Sequence, residues 1–77
     1  METMYVELSS IDKVKDFVNE ISKIEGEFDL VSGRYVVDAK SIMGIFSLDL
    51  SKSMQLNAKS EDKESLKILK KYTVEEK

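Results

Sequence analysis

The chain has 77 residues, carries a formal net charge of −3 and contains neither histidine nor cysteine. A chain of this length forms one domain, 1–77, near the lower limit for a self-sufficient hydrophobic core. The missing residue types exclude disulfides, thiolate or histidine metal sites, and acid–base or phosphoryl chemistry on histidine. We therefore expect no metal, no cofactor and no enzymatic activity.

The charged residues make up 35% of the chain and mix both signs, and Arg34 is the only arginine. A nucleic-acid-binding surface needs a basic patch or stripe, so we expect no nucleic-acid partner. No apolar run approaches the roughly 20 residues that span a bilayer. The N-terminus lacks the basic and then apolar pattern of a secretory signal. We expect a cytoplasmic protein without membrane contact.

The first third of the chain predicts a strand and then a helix. Residues 3–8 alternate between apolar and polar side chains, as in a half-buried strand. Over residues 11–24, apolar side chains recur at helical spacing for about four turns. Ser9 or Ser10 is placed to begin this helix, and Gly26 is placed to end it.

The middle of the chain predicts a hairpin, a short helix and a further strand. Two β-prone runs, 28–31 and 35–39, flank the glycine-containing connection 32–34. A short helix is predicted from about 41 to 51, and the alternation over 54–59 predicts a fourth strand.

A last helix follows the fourth strand. Ser60 is placed to cap it, and Leu66, Leu69 and Tyr72 form its apolar stripe, while residues 74–77 are expected to fray. The order β-α-β-β-α-β-α predicts an α+β fold, a two-layer open-faced sandwich. In it a four-stranded antiparallel sheet carries three helices on one face.

The segment from Lys40 to Leu50 is too apolar for a helix that faces only inward. At about 100° per residue, two groups of apolar side chains point in different directions. One group is Ile42, Met43, Phe46 and Leu50, and the other is Ile45 and Leu48. One side can enter the core, and the other is a candidate docking surface with Ser41 at its edge.

The same segment carries the sequence KSIMGIFSL over residues 40–48. This is nearly the Lys-Ser-Ile-Met-Gly-hydrophobic-Met-Ser-Leu signature of HPr, the phosphocarrier of the bacterial phosphoenolpyruvate:sugar phosphotransferase system. Ser22-Lys23 and the turn glycine Gly33 also fall at that family's spacing. The chain resembles the HPr-like family over nearly its whole length, which implies a bacterial protein related to sugar transport or its regulation.

In that family, a histidine at the start of the first helix takes a phosphoryl group from enzyme I and passes it to enzyme II components. Alanine, arginine and proline follow it. Counting back from Ser41 without a gap places these four residues at Ser10, Ile11, Asp12 and Lys13. A phosphoserine is too stable an ester to serve as a relay, and Asp12 would repel the phosphoryl charge that arginine stabilises. The resemblance therefore implies a degenerate member without carrier activity, in which Ser10 and Asp12 serve as a helix cap and a first-turn acid.

Two further sites follow from the resemblance. Ser41 matches the serine that a regulatory kinase phosphorylates in many Gram-positive bacteria, and the alternative is a helix N-cap alone. Ile42, Met43 and Phe46 match the family's exposed docking residues, and the alternative is that they complete this protein's own core or a homodimer contact.

Three hypotheses for function stay open. The first is a non-catalytic interaction or regulatory module that docks phosphotransferase-system components or a transcription regulator through the second helix. The second is a regulator of sugar uptake that phosphorylation of Ser41 switches. The third is a structural or homodimerising domain, although we expect a monomer rather than a dimer.

Overall fold

The computed structural model describes residues 2–74, and its elements follow the predicted order. The strands are β1 (Glu2–Val6), β2 (Glu27–Ser32), β3 (Tyr35–Asp38) and β4 (Met54–Lys59). The helices are α1 (Ile11–Ile21), α2 (Ile42–Phe46) and α3 (Lys63–Leu66), and a 3-10 helix (Lys67–Tyr72) continues α3. No helix among residues 2–74 is long and apolar enough to cross a membrane.

The four strands form one antiparallel sheet in the order β1-β4-β2-β3. Leu56 at the centre of β4 lies opposite Met4 on one side and Leu30 on the other. Because side chains alternate along a strand, the apolar set of each strand shares one face of the sheet. The predicted open-faced sandwich is confirmed.

The core lies between this face of the sheet and the helices. One cluster of buried side chains joins both layers. From the sheet it includes Val6, Phe28, Leu30, Met54, Leu56 and Ala58, and from the helices Val14, Phe17, Ile21, Ile45, Leu66, Leu69 and Tyr72. The predicted apolar stripe of the last helix is therefore confirmed.

The predicted hairpin joins β2 and β3 through a two-residue connection, Gly33-Arg34, with Ser32 opposite Tyr35. Gly33 has φ +59°, in the left-handed region that favours glycine. The prediction for Gly26 is wrong, because α1 ends at Ile21 with Ser22 as its C-cap. Gly26, with φ +134°, lies in the following loop, where a Cβ would collide with the carbonyl oxygen of Lys59.

The predicted cap of the last helix is also wrong. Asp62 caps α3, since its carboxylate accepts hydrogen bonds from the Ser65 N–H (3.1 Å) and hydroxyl (2.6 Å), and these bonds lower the pKa of Asp62. The Ser60 hydroxyl instead donates to the Glu25 carbonyl at 2.6 Å and ties two loops together. Asp is as good a cap as Ser, so preference by residue type does not distinguish Ser60 from Asp62.

The second helix is shorter than the predicted 41–51. It ends at Phe46, and the Ser47 hydroxyl donates to the Gly44 carbonyl at 2.5 Å. Asp49 accepts hydrogen bonds from the Ser51 hydroxyl (2.6 Å) and N–H (3.1 Å), which lower the pKa of Asp49. Such local bonds compete with helix formation and explain the early end.

Candidate functional site

The start of α1 is built around Ser10. This exposed residue has an extended backbone, and its hydroxyl oxygen accepts a hydrogen bond from the Lys13 N–H at 3.1 Å. Asp12 lies exposed in the first turn, and the Lys13 ammonium lies 3.8 Å from a Glu7 carboxylate oxygen. Of the two predicted caps, Ser9 and Ser10, the structure has Ser10. The predicted roles of Ser10 as cap and of Asp12 as first-turn acid match this arrangement.

Ile11 lies on the surface, although the apolar spacing over residues 11–24 predicts it on the apolar face of α1. Its side chain is 61% exposed, whereas Val14, Phe17 and Ile21 are buried. Periodicity alone cannot show this, because Ile11 has the correct helical spacing and is the first residue of α1.

The start of α2 repeats the arrangement of α1 with Ser41. Its hydroxyl oxygen accepts a hydrogen bond from the Gly44 N–H at 3.2 Å, and its own N–H donates to the Asp38 carbonyl at 2.9 Å. Ser41 is exposed. The end of β3 therefore positions the serine directly.

Lys40 fixes the turn that leads into α2. Its ammonium donates to the carbonyl of Ile24 at 2.8 Å and lies 5.3 Å from the centre of the Phe28 ring. Its N–H donates to the Asp38 carboxylate at 2.9 Å. These contacts connect the loop after α1, strand β2 and the residue before Ser41.

The two apolar sides of the 40–50 segment have different surroundings. Ile45 and Leu48 are buried, so their side enters the core. Met43 is 76% exposed and Phe46 is 37% exposed, whereas Ile42 is half-buried and packs against the core. Of the three predicted docking residues, two lie on the surface and the third also contributes to the core.

Gly44 lets α2 lie close to the sheet. A Cβ on Gly44 would lie 3.3 Å from the Cβ of Val37 and 3.2 Å from the Ser41 hydroxyl oxygen. Helix α2 packs against both β3 and α1. The exposed residues Met43 and Phe46 thus belong to a helix that rigid elements hold on two sides.

Within residues 2–74, no group of three or more acidic side chains is placed to hold a metal ion. The site offers serine hydroxyl groups, exposed carboxylates and exposed apolar side chains. This set of groups can bind another protein surface, and its serine hydroxyls can accept a covalent modification.

Comparisons with known proteins place this geometry in a family. No family profile matches the chain, and no curated protein matches its sequence. Among solved structures, HPr-C-His from Thermoanaerobacter tengcongensis is 30% identical, with a TM-score of 0.77 over 90% of this chain and 86% of that chain. The chain belongs to the HPr family.

A second HPr structure supports the fold. The phosphocarrier protein HPr from Bacillus anthracis str. Ames has a TM-score of 0.74 over 95% of this chain and 96% of that chain, at 24% identity. The resemblance to HPr that the 40–48 signature indicated is therefore confirmed, and so is the fold class.

Proposed function

We propose that this HPr-family protein is a phosphotransferase-system-related interaction module of the bacterial cytoplasm. It docks partner proteins through α2 and carries no phosphoryl group on histidine. One observation supports the proposal most strongly. The chain has no histidine, Ser10 caps α1 at the family's histidine position, and Met43 and Phe46 stay exposed on the helix that retains the family signature.

The residues at the start of α1 argue against phosphoryl relay. A phosphoryl group on the Ser10 hydroxyl would form a stable ester, which does not pass its phosphoryl group onward. Asp12, two residues further on, adds a negative charge where the family has an arginine. Lys13 is the nearest compensating charge in sequence, but it is exposed and faces Glu7.

The surface of α2 has the properties of a docking site. Met43 is a flexible apolar side chain that adapts to a partner, and Phe46 offers an aromatic ring of the kind enriched in interface hot spots. Ile11 adds an exposed apolar side chain. It lies on α1, and the helix α1 packs against α2.

The relay is tested with purified enzyme I and phosphoenolpyruvate. We expect no acid-labile phosphate on this protein by intact mass, while a histidine-containing HPr in the same mixture becomes labelled. Transferable phosphate on this chain would overturn the proposal.

Docking is tested by titrating the labelled protein with enzyme I and with a sugar-specific enzyme II component. We expect binding to at least one of them, and a dissociation constant at least tenfold weaker (about 1.4 kcal/mol) for Met43→Glu and Phe46→Glu. Ile68→Glu is the matched control, because Ile68 is also exposed but lies on the 3-10 helix. Equal losses in all three variants, or no binding to either protein, would contradict docking through α2.

A second candidate function is a switch at Ser41. Its exposure and its position next to the α2 docking residues favour this candidate, because a phosphate there would add charge beside Met43 and Phe46. Incubation with the family's kinase and ATP should add one phosphate to the protein and none to Ser41→Ala. Ser47→Ala, which removes another exposed serine of the same segment, should still be phosphorylated.

The third hypothesis, a homodimerising domain, uses the same exposed side chains. Sedimentation at low micromolar concentration separates the two uses of the surface. If the protein sediments as a monomer at every concentration, docking of a different protein is supported. A dimer that dissociates in Phe46→Glu would instead assign the surface to self-association.

A further inference from the structure

Methionine supplies the only sulfur atoms of this protein. The chain has four methionines and contains no cysteine, histidine or tryptophan, side chains that would compete for an oxidant. A methionine thioether is converted to the sulfoxide by oxidants such as peroxides, and reductases reverse the step. The surroundings of each sulfur atom therefore decide which methionine is oxidised in the folded protein.

The three methionines among the described residues lie in different surroundings. Met43 on α2 is 76% exposed, whereas Met54 on β4 is 1% exposed. Met4 on β1 is half-buried and packs against the core. Met1 lies outside the described residues. An oxidant in solution reaches Met43 in the native state, but it reaches Met54 only when the core opens.

Met43 can become polar without loss of the fold. The core cluster of the described residues does not include Met43, and α2 joins that cluster through Ile45, with Ile42 packed against it. The Ser41 hydroxyl oxygen accepts the Gly44 N–H and so begins the helix. A sulfoxide at position 43 leaves these core contacts and this cap in place.

A sulfoxide at position 43 changes the chemistry of the exposed side of α2. We call this side, with Met43 and Phe46, the α2 surface. The two residues are three positions apart in a helix, so their side chains are neighbours. Oxidation replaces a flexible apolar group by a polar one. A partner that buries the thioether would then have to bury an oxygen atom without a hydrogen-bond donor, which costs free energy.

We propose that Met43 is a reversible oxidation site and that its sulfoxide weakens docking on the α2 surface. The second part rests on the proposed docking through α2. In the forward step with hydrogen peroxide, the thioether sulfur attacks one peroxide oxygen, an S–O bond forms, the O–O bond breaks and water leaves. The sulfur loses two electrons and the peroxide gains them. In the reverse step a dithiol reductant supplies two electrons, and the products are the thioether, a disulfide and water.

The oxidation site is tested by treating the full chain with hydrogen peroxide and mapping its peptides by mass. We expect Met43 to gain one oxygen atom at least tenfold faster than Met54. In urea that unfolds the chain, the two rates should become equal, because the core no longer protects Met54. Equal rates in the folded protein would overturn the assignment of Met43.

Reversibility and retention of the fold are tested on the same oxidised sample. Methionine sulfoxide reductases for both sulfoxide epimers should remove the oxygen atom from Met43. In the ¹⁵N-labelled protein, we expect amide shifts confined to residues 40–50. A sulfoxide that resists both reductases, or shifts spread over the sheet, would contradict a reversible change of the surface.

The effect on docking is tested by titrating the oxidised protein with enzyme I and with the enzyme II component. We expect the dissociation constant to rise at least fivefold on oxidation and to return after reduction. Met43→Leu is the matched control, because it keeps an apolar side chain of similar volume without sulfur. Its binding should not change on peroxide treatment. An equal loss of binding in the parent and in Met43→Leu would assign the effect to another methionine and overturn the proposal.

Failure of this inference and failure of the proposed function give different results. If the untreated parent binds and its oxidised form binds equally well, the effect of Met43 oxidation is overturned and docking through α2 stands. If the untreated parent binds neither protein, docking fails and its regulation fails with it. The peptide map then still decides whether Met43 is the oxidation site.

Discussion

The start of α1 and the start of α2 are built alike and differ in what they retain of the family. Each begins at an exposed serine whose hydroxyl oxygen accepts a hydrogen bond from the N–H three residues later. The distance between nitrogen and oxygen is 3.1 Å for Ser10 and 3.2 Å for Ser41. Each also has a neighbouring exposed apolar side chain, Ile11 or Met43. The second start lies in the segment that resembles the HPr signature, whereas the first is where we propose that the family's histidine is replaced, since the chain contains no histidine.

The start of α1 shows that a serine cap is sufficient for this helix start. A serine satisfies the Lys13 N–H at the start of α1, and the inner side of the helix contributes Val14, Phe17 and Ile21 to the core. The absence of histidine from this chain is therefore compatible with the HPr-like fold.

The largest expected effect comes from introducing the family's histidine, arginine and proline at the start of α1. In the triple variant Ser10→His, Asp12→Arg, Lys13→Pro, we expect acid-labile phosphate from enzyme I and phosphoenolpyruvate where the parent acquires none. Proline at position 13 has no N–H, so the loss of the serine cap leaves no donor unpaired there. Ser10→His alone should acquire less, because the Asp12 carboxylate remains beside the phosphoryl group. A folded triple variant without phosphate would contradict this prediction.

A smaller effect separates the structural roles of the two serines. We expect Ser10→Ala to lower the free energy of unfolding by about 1 kcal/mol, the typical value for a lost N-cap. Ser41→Ala should lower it less, because α2 has five residues and only Ile45 among them is buried. Urea denaturation gives the free energies, and amide exchange should show faster opening confined to residues 42–46 in Ser41→Ala. Equal losses with identical exchange patterns would contradict this distinction.

The smallest effect concerns the inner side of α1. Phe17 packs edge to face on Tyr72, with ring centres 5.4 Å apart, and the buried Tyr72 hydroxyl has no hydrogen-bond partner among the described residues. At pH 7, we expect Tyr72→Phe to leave the free energy of unfolding unchanged or to raise it by up to about 1 kcal/mol.

Tyr72→Phe should also change how the free energy of unfolding depends on pH above 10. Burial raises the pKa of Tyr72 above its ordinary value of 10.0. The folded state then holds this proton more tightly than the unfolded state. The resulting stability is fully present below pH 10 and is lost as the pH rises through the folded pKa. Urea titrations at pH 7 and at several values above 10 should show this loss in the parent and its absence in Tyr72→Phe, and an unchanged alkaline slope would contradict the assignment.

The strands and the hairpin could be predicted because their signals are local. Alternation marked β1 and β4, and Gly33 marked the turn between β2 and β3. Helix ends were less predictable, since several residues near each end can serve as a cap. The prediction named Ser60, but the side chain that accepts the Ser65 N–H is that of Asp62, and the Ser60 hydroxyl bonds the Glu25 carbonyl.

The candidate site could be predicted only in part, because helical spacing does not show which residues are exposed or where a helix ends. The signature over 40–48 located the helix and its serine, and exposure of Met43 and Phe46 agrees with the predicted surface. Helical spacing did not show that Ile11 is exposed, that Ile42 is half-buried or that α2 ends at Phe46. The exposure of these side chains depends on tertiary packing, and the end of α2 depends on local hydrogen bonds.

The sequence by itself determined the order of elements, the missing histidine and the two apolar sides of α2, because periodicity and composition are properties of the chain. Only the tertiary structure decided which side of α2 faces the core, since this depends on Gly44 lying against Val37.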